Sequence, residues 1–155
     1  MKKFQNKYRI ESTRLKYWDY SNPGMYFVTI CTHNFFEWFG KVVDEEMILN
    51  EMGKIAEAEW IKTCELRDNV ILNEFVIMPN HVHGIIQLLG DEYTSRDVAR
   101  NVSTSEHMSN ISPKSGTLST IVRTYKSAVT RSIRKHHHPK FEWQPRFYDH
   151  VIRND

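Results

Sequence analysis

A chain of 155 residues, 40% of them hydrophobic, is long enough to bury a core and too apolar to stay disordered, so one domain covering 1–155 is expected. No apolar run reaches the roughly 18 residues of a membrane-spanning helix. The basic start "MKKFQNKYRIESTRLKYW" also lacks the apolar stretch of a secretory signal, so a cytoplasmic protein with no membrane partner is expected. The net charge of +2 hides a division along the chain. Residues 114–155 carry nine Lys/Arg against three acids, a local charge of +6, while everything before carries twelve against sixteen, or −4. The basic third is interleaved with Tyr125, Phe141, Trp143, Phe147 and Tyr148, a composition suited to phosphate backbones and base stacking as well as to a solvated helix over core aromatics. Cys31 and Cys64 have neither metal-type nor redox spacing and read as reduced thiols facing the core.

In chain order, "YSNPG" (20–24) is a turn, since Pro23 presets φ and Gly24 frees it. "MYFVTICTH" (25–33) is β-branched and aromatic and predicts a buried strand. A short hairpin is expected around Asp44-Glu45-Glu46. From Glu51 to Arg67, Met52, Ile55, Ala56, Trp60, Ile61 and Cys64 recur at helical spacing. "NVILNEFVIM" (69–78) and "HVHGIIQLLG" (81–90) predict two strands broken at Pro79-Asn80. Residues 91–116 are polar and aperiodic and predict a mobile loop. A helix follows, its apolar stripe Leu118, Ile121, Val122, Tyr125, Val129 and Ile133, with Thr117 or Ser119 as N-cap. "WQPRFYDHVI" predicts a last short strand after Pro145.

The order strand, helix, strand, strand, helix, strand is that of an α+β, ferredoxin-like domain: an antiparallel sheet with two helices packed on one face. Within it His81 and His83 are two apart on one strand, so their imidazoles project to the same side and Val82 to the other. The spacing admits two readings, satisfied core histidines or ligands to one divalent ion. The run His136-His137-His138 sits at a basic helix end, where the helix C-terminus favours cations, and reads as solvated.

"MPNHVHGII" resembles the His-hydrophobic-His motif of the HUH endonucleases, in particular the single-tyrosine transposases of small bacterial insertion sequences and, within them, the REP-associated tyrosine transposases. Three further blocks are similar to that subgroup in the same order: "RLKYWDYSNPGMYFVTICTHN", "GTLSTIVRTYKSAVTRSI" and "WQPRFYDHVIRND". The resemblance implies a ferredoxin-like nuclease in which His81 and His83 hold a divalent ion, Mg²⁺ or Mn²⁺, with one further polar ligand. It implies that a tyrosine attacks a phosphate of single-stranded, hairpin-associated DNA, leaving a 5′-phosphotyrosine and a free 3′-OH. Single-stranded or hairpin DNA is then the expected partner, bound by Arg123, Lys126, Arg131, Arg134, Trp143, Arg146 and Arg153, by a monomer or homodimer.

In the family the resemblance points to, the nucleophile lies on a final helix beyond the segment matching Ile152–Asn154, with the third ligand one turn further along it. The catalytic tyrosine is therefore expected to lie beyond Asp155, and its helix to be missing from residues 1–155. Tyr125, beside Lys126, is the fallback nucleophile; Glu74 and Asn80 lie near the histidines, Asn80 reading as a turn former with Pro79. The alternative function is a DNA-binding remnant or regulator without strand cleavage. A small metal-dependent hydrolase is a third option, disfavoured because no carboxylate cluster accompanies the histidines.

Overall fold

A computed structural model describes residues 3–4, 7–8, 14–90 and 116–153. Beyond a short antiparallel pairing of Lys3–Phe4 with Lys7–Tyr8, the described residues form six strands and two α-helices in chain order. They are β1 (Gly24–Cys31), β2 (Gly40–Val43), β3 (Glu46–Leu49), α1 (Glu51–Glu65), β4 (Val70–Met78), β5 (His81–Leu88), α2 (Leu118–His136) and β6 (Tyr148–Ile152). Four of the strands form one sheet in the order β4-β5-β1-β6, each neighbour antiparallel. Each helical crossover brackets one strand: β1-α1-β4 encloses β5, and β5-α2-β6 encloses β1. This is the expected α+β, ferredoxin-like plan.

The sheet is one-sided because its strands alternate. On β5, Val82, Gly84, Ile86 and Leu88 are buried while His81, His83, Ile85 and Gln87 are half-buried. On β1, Tyr26, Val28 and Ile30 turn to the buried side. Against that side pack Gly53, Ala56, Trp60 and Thr63 of α1 and the predicted apolar stripe of α2, all six of whose residues are buried. Helix starts are set locally: the side chains of Asn50 and Thr117 each accept a backbone N–H of the first turn. Thr117, of the two N-caps expected, is the one used.

Trp60 locks the layers together. It meets Tyr125 edge-on, ring centroids 5.1 Å apart, and lies flush on the backbone of Gly84, where a Cβ would come within 2.3 Å of the indole. Tyr125 spans the helices, its hydroxyl donating to the Ala56 carbonyl at 3.0 Å.

The β2–β3 hairpin turns at Asp44 and Glu45, both at positive φ, as a two-residue loop requires. A bulge between Leu72 and Phe75 shifts the β4–β5 register and leaves Asn73 and Glu74 outside the pairing. Both cysteines are free; Cys31 is buried and Cys64 only half so. Ile61, expected inside, is 45% exposed. The expected mobile loop, apart from Gly116, lies outside the described residues. So does Asp155, the residue past which the resemblance places the catalytic-tyrosine helix. Among the described residues no helix is long and apolar enough to cross a membrane.

Gly84→Ala is expected to cost about 1–3 kcal/mol, because the added methyl overpacks against a fixed indole. Trp60→Phe should relieve part of that clash, so in chemical denaturation the double variant should lose less than the two single losses combined. Strict additivity would show that the two residues do not press on each other.

Candidate functional site

The alternation that buries Val82 and Gly84 sends His81 and His83 to the sheet face opposite α1 and α2, on which no helix packs among the described residues. Their rings stand edge to face with centroids 4.5 Å apart. Neighbouring side chains hold each ring through Nδ1. Asn80 Oδ1 lies 2.7 Å from His81 Nδ1, and the Asn80 amide nitrogen donates to the Phe35 carbonyl at 3.2 Å, which turns the amide oxygen toward the imidazole. An oxygen acceptor there requires the proton on Nδ1, leaving the Nε2 lone pair of His81 free. Thr29 Oγ1 lies 2.9 Å from His83 Nδ1, on the strand residue paired directly with His83. Phe27 stacks on the His83 ring, centroids 5.3 Å apart at 26°.

Burial lowers both imidazoles below their ordinary value of 6.5, and for His81 the neighbouring His83 adds to the effect. The pair is therefore neutral at pH 7, the state a metal ion requires of it. Two nitrogen donors with fixed rings suit a divalent cation, and their softness suits Mn²⁺ better than Mg²⁺. Among the described residues no third His, Cys, Asp or Glu completes a cluster with them. Asn80, weighed as a ligand or a turn former, orients His81, while its carbonyl accepts from Thr32 N and Oγ1.

The second feature is a groove of about 740 Å³ between α2 and residues 142–147, separated from the histidines by the edge of the sheet. Six of the seven residues expected to bind DNA line it: Arg123, Lys126, Arg131, Arg134, Trp143 and Arg146. Their roles divide. Lys126 is half-buried, which lowers its pKa, and its ammonium donates to the carbonyls of Gln144 (2.8 Å) and Arg146 (3.0 Å). Trp143 donates its indole N–H to the Lys126 carbonyl at 3.1 Å. Arg134 donates Nε to the Phe141 carbonyl at 2.9 Å and lies 3.8 Å from the Glu142 carboxylate. These three stitch the groove wall to α2, although Arg134 is itself exposed; Arg123, Arg131 and Arg146 are further exposed cations facing the groove. Arg153 is exposed at the end of β6 and does not line the groove.

Tyr125 does not qualify as a nucleophile. It is 2% exposed, its hydroxyl is committed to Ala56, and burial pushes its ionisation far above the ordinary phenol value. The helical period that placed it on the apolar stripe outweighs its sequence neighbour Lys126. With this fallback removed, the expectation of a tyrosine beyond Asp155 concerns chain outside the described residues, which end at Arg153. His136 and His137 are exposed, as expected, and His138 packs edge-on against Trp38. Sequence reading missed Thr29 and Phe27 as partners of His83, because only strand register brings such distant residues together, 54 apart for Thr29. The order of strands in the sheet was the only available signal.

Because the folded imidazoles resist protonation, the unfolded chain takes up protons first as pH falls below 6.5. Their contribution to stability is full above 6.5 and is lost as pH drops through the lowered folded values. In thermal melts between neutral pH and about pH 5, the His81→Gln/His83→Gln variant should lose less stability than the wild type. An identical acid slope would mean that the pair titrates as free histidine does.

No protein-family model matches the sequence. An uncharacterized protein of Haemophilus influenzae is 34% identical over 147 residues, covering 93% of this chain and 79% of that protein. The solved structure of a REP-associated tyrosine transposase bound to a REP hairpin is similar in fold, with a TM-score of 0.53 and 21% identity over 92% of this chain. This chain spans 64% of the length of that transposase. The fold is thus that of the transposase structure, and by sequence the chain belongs to the same protein family as the H. influenzae protein.

Proposed function

We propose that this chain is a DNA strand-transfer domain of the single-tyrosine HUH type, acting on single-stranded DNA next to a hairpin. The observation that carries the reading is the pair of neutral imidazoles, locked through Nδ1 and sharing one open sheet face, on a fold that also bears a basic groove. His81 and His83 are the residues that would hold a divalent ion, Mn²⁺ or Mg²⁺, whose chemistry there is to draw charge from a phosphoryl oxygen. Asn80 and Thr29 keep the two rings from turning, and Phe27 packs the His83 ring from one side. Arg123, Arg131 and Arg146 neutralise the phosphates of a DNA segment lying in the groove. By resemblance, a tyrosine oxygen forms the new phosphoester bond as the 3′ oxygen leaves, so the cleaved ester is kept for rejoining without a nucleotide cofactor.

A second reading, a DNA-binding regulator without cleavage, is favoured by one fact: Tyr125 is buried and hydrogen-bonded. A denaturing gel with end-labelled hairpins separates the two readings. A protein–DNA band that survives denaturation supports strand transfer, and hairpin binding without such a band supports the regulator.

Titration with Mn²⁺ should give one ion per chain, strongly weakened by His81→Ala. Asn80→Ala should lower the affinity about 10- to 100-fold through loss of ring orientation. Arg123→Ala and Arg131→Ala should each lower the slope of log affinity for DNA against log salt by about one. Mn²⁺ binding unchanged in the His81→Ala/His83→Ala variant would end the metal reading, and an unchanged salt slope would remove DNA from the groove.

A further inference from the structure

The groove and the histidine pair are joined by a strip of sheet whose outer strand, β6, neither assignment uses. β6 begins two residues after Arg146, at the end of the groove segment, and runs along the edge of the sheet to Ile152, next to Arg153. Its residue Tyr148 is paired with Thr29, and Thr29 with His83, so the three lie in one row and face the same open side. In the next row His150, Phe27 and Ile85 are likewise in register. Tyr148 is 50% exposed and Phe27 37% exposed, although both are large aromatic side chains on a sheet.

We infer that this strip is a stacking track for unpaired bases, with Tyr148 the outer platform and Phe27 the inner one. It leads a single strand from the basic groove over the edge of the sheet to the histidine pair. Three features choose nucleic acid over an apolar protein surface. The outward side chains of β1, β5 and β6 include no carboxylate, since Asp149 is paired with Val28 on the opposite face. No carboxylate of these three strands therefore repels a phosphate backbone along the strip. Exposed arginines, Arg146 and Arg153, stand at either end of β6. The exposed large hydrophobic side chains of the strip, Phe27 and Tyr148, are both aromatic rings, which accept the π face of any base.

Spacing agrees with this. Tyr148 and His83 are two strand intervals apart, about 10 Å. A base resting on Tyr148 leaves its neighbouring phosphate over Thr29, on the way to the imidazoles. Phe27, stacked on His83, would receive the following base while buttressing that ring. This deepens the strand-transfer reading and rests on it for the identity of the ligand.

The test compares a DNA hairpin carrying a short thymidine tail with the same hairpin blunt-ended. The wild type should bind the tailed form more tightly. Tyr148→Ala should weaken tailed binding about fivefold or more and leave the blunt hairpin and Mn²⁺ binding unchanged. Tyr148→Phe should bind as the wild type does, because the ring and not the hydroxyl does the stacking. Tyr148→Leu, equally apolar, should behave as the alanine variant does. Thermal melts of all three variants report that the fold is kept.

Equal tailed binding by wild type and Tyr148→Ala would overturn the track, as would a Tyr148→Leu variant indistinguishable from wild type. Loss in Tyr148→Phe would overturn it by assigning the role to the hydroxyl. A wild-type dimer that Tyr148→Ala dissociates would show that a second copy covers the strip. Binding of blunt hairpins with no preference for a tail would sink the track and leave the groove standing. Binding of neither hairpin would remove the strand-transfer reading itself.

Discussion

The two-residue period of β5, held in register on both sides by β4 and β1, is the constraint on which the rest depends. A strand paired along both edges cannot slip by one residue without exchanging its faces. In the observed register Val82, Gly84, Ile86 and Leu88 meet the helices, and Gly84 admits the indole of Trp60. A one-residue slip would drive His81 and His83 into the core and Val82 into solvent. The packing of Trp60 on Gly84 and the outward aim of the imidazoles are thus two consequences of one register. Stability and site geometry are fixed by the same pairing.

Electrostatics divides the molecule into a neutral and a charged part. The histidine pair lies on a half-buried stretch of sheet where β1 and β5 turn no carboxylate outward, and burial lowers the pKa of both rings. The cations gather along α2 and the segment before β6. Some of them are structural: Lys126 and Arg134 spend donors on backbone carbonyls of 141–146 and so shape the groove that Arg123, Arg131 and Arg146 then charge. Keeping the cations off the sheet face protects the basicity of the imidazoles from like-charge neighbours.

Much of the fold was legible because each element carries its own period. The stripe of α2, the alternation of β5 and the break at Pro79-Asn80 are local signals, and the structure follows them. The Asp44-Glu45 turn was readable for the same reason. What was not legible depends on contacts between distant residues. The bulge at Asn73 and Glu74 has no compositional mark, and Ile61 satisfied the helical period on a side of α1 that the sheet leaves uncovered. For the site, His81 and His83 were legible from their spacing. Their orientation by Asn80 is half-legible, since the sequence marks Asn80 as a turn residue beside Pro79. Thr29 and Phe27 were not, because only the β1–β5 register sets them beside His83. For Lys126 and Trp143, expected to meet DNA, the contact between α2 and the chain returning through 142–147 occupies the ammonium of the one and the indole N–H of the other.

The proposed metal site rests on two neutral imidazoles whose Nδ1 atoms are held by Asn80 and Thr29, with the Nε2 lone pair free at His81. Long-range ¹H–¹⁵N NMR of the histidine side chains tests it most directly. In metal-free protein at neutral pH, His81 should show the Nδ1–H tautomer, the less common form of free histidine, because Asn80 Oδ1 demands that proton. Substoichiometric Mn²⁺ should then broaden the Nε2 signals of His81 and His83 together, ahead of those of His136, His137 and His150. An Nε2–H tautomer at His81, or broadening that favours the exposed histidines, would contradict the account.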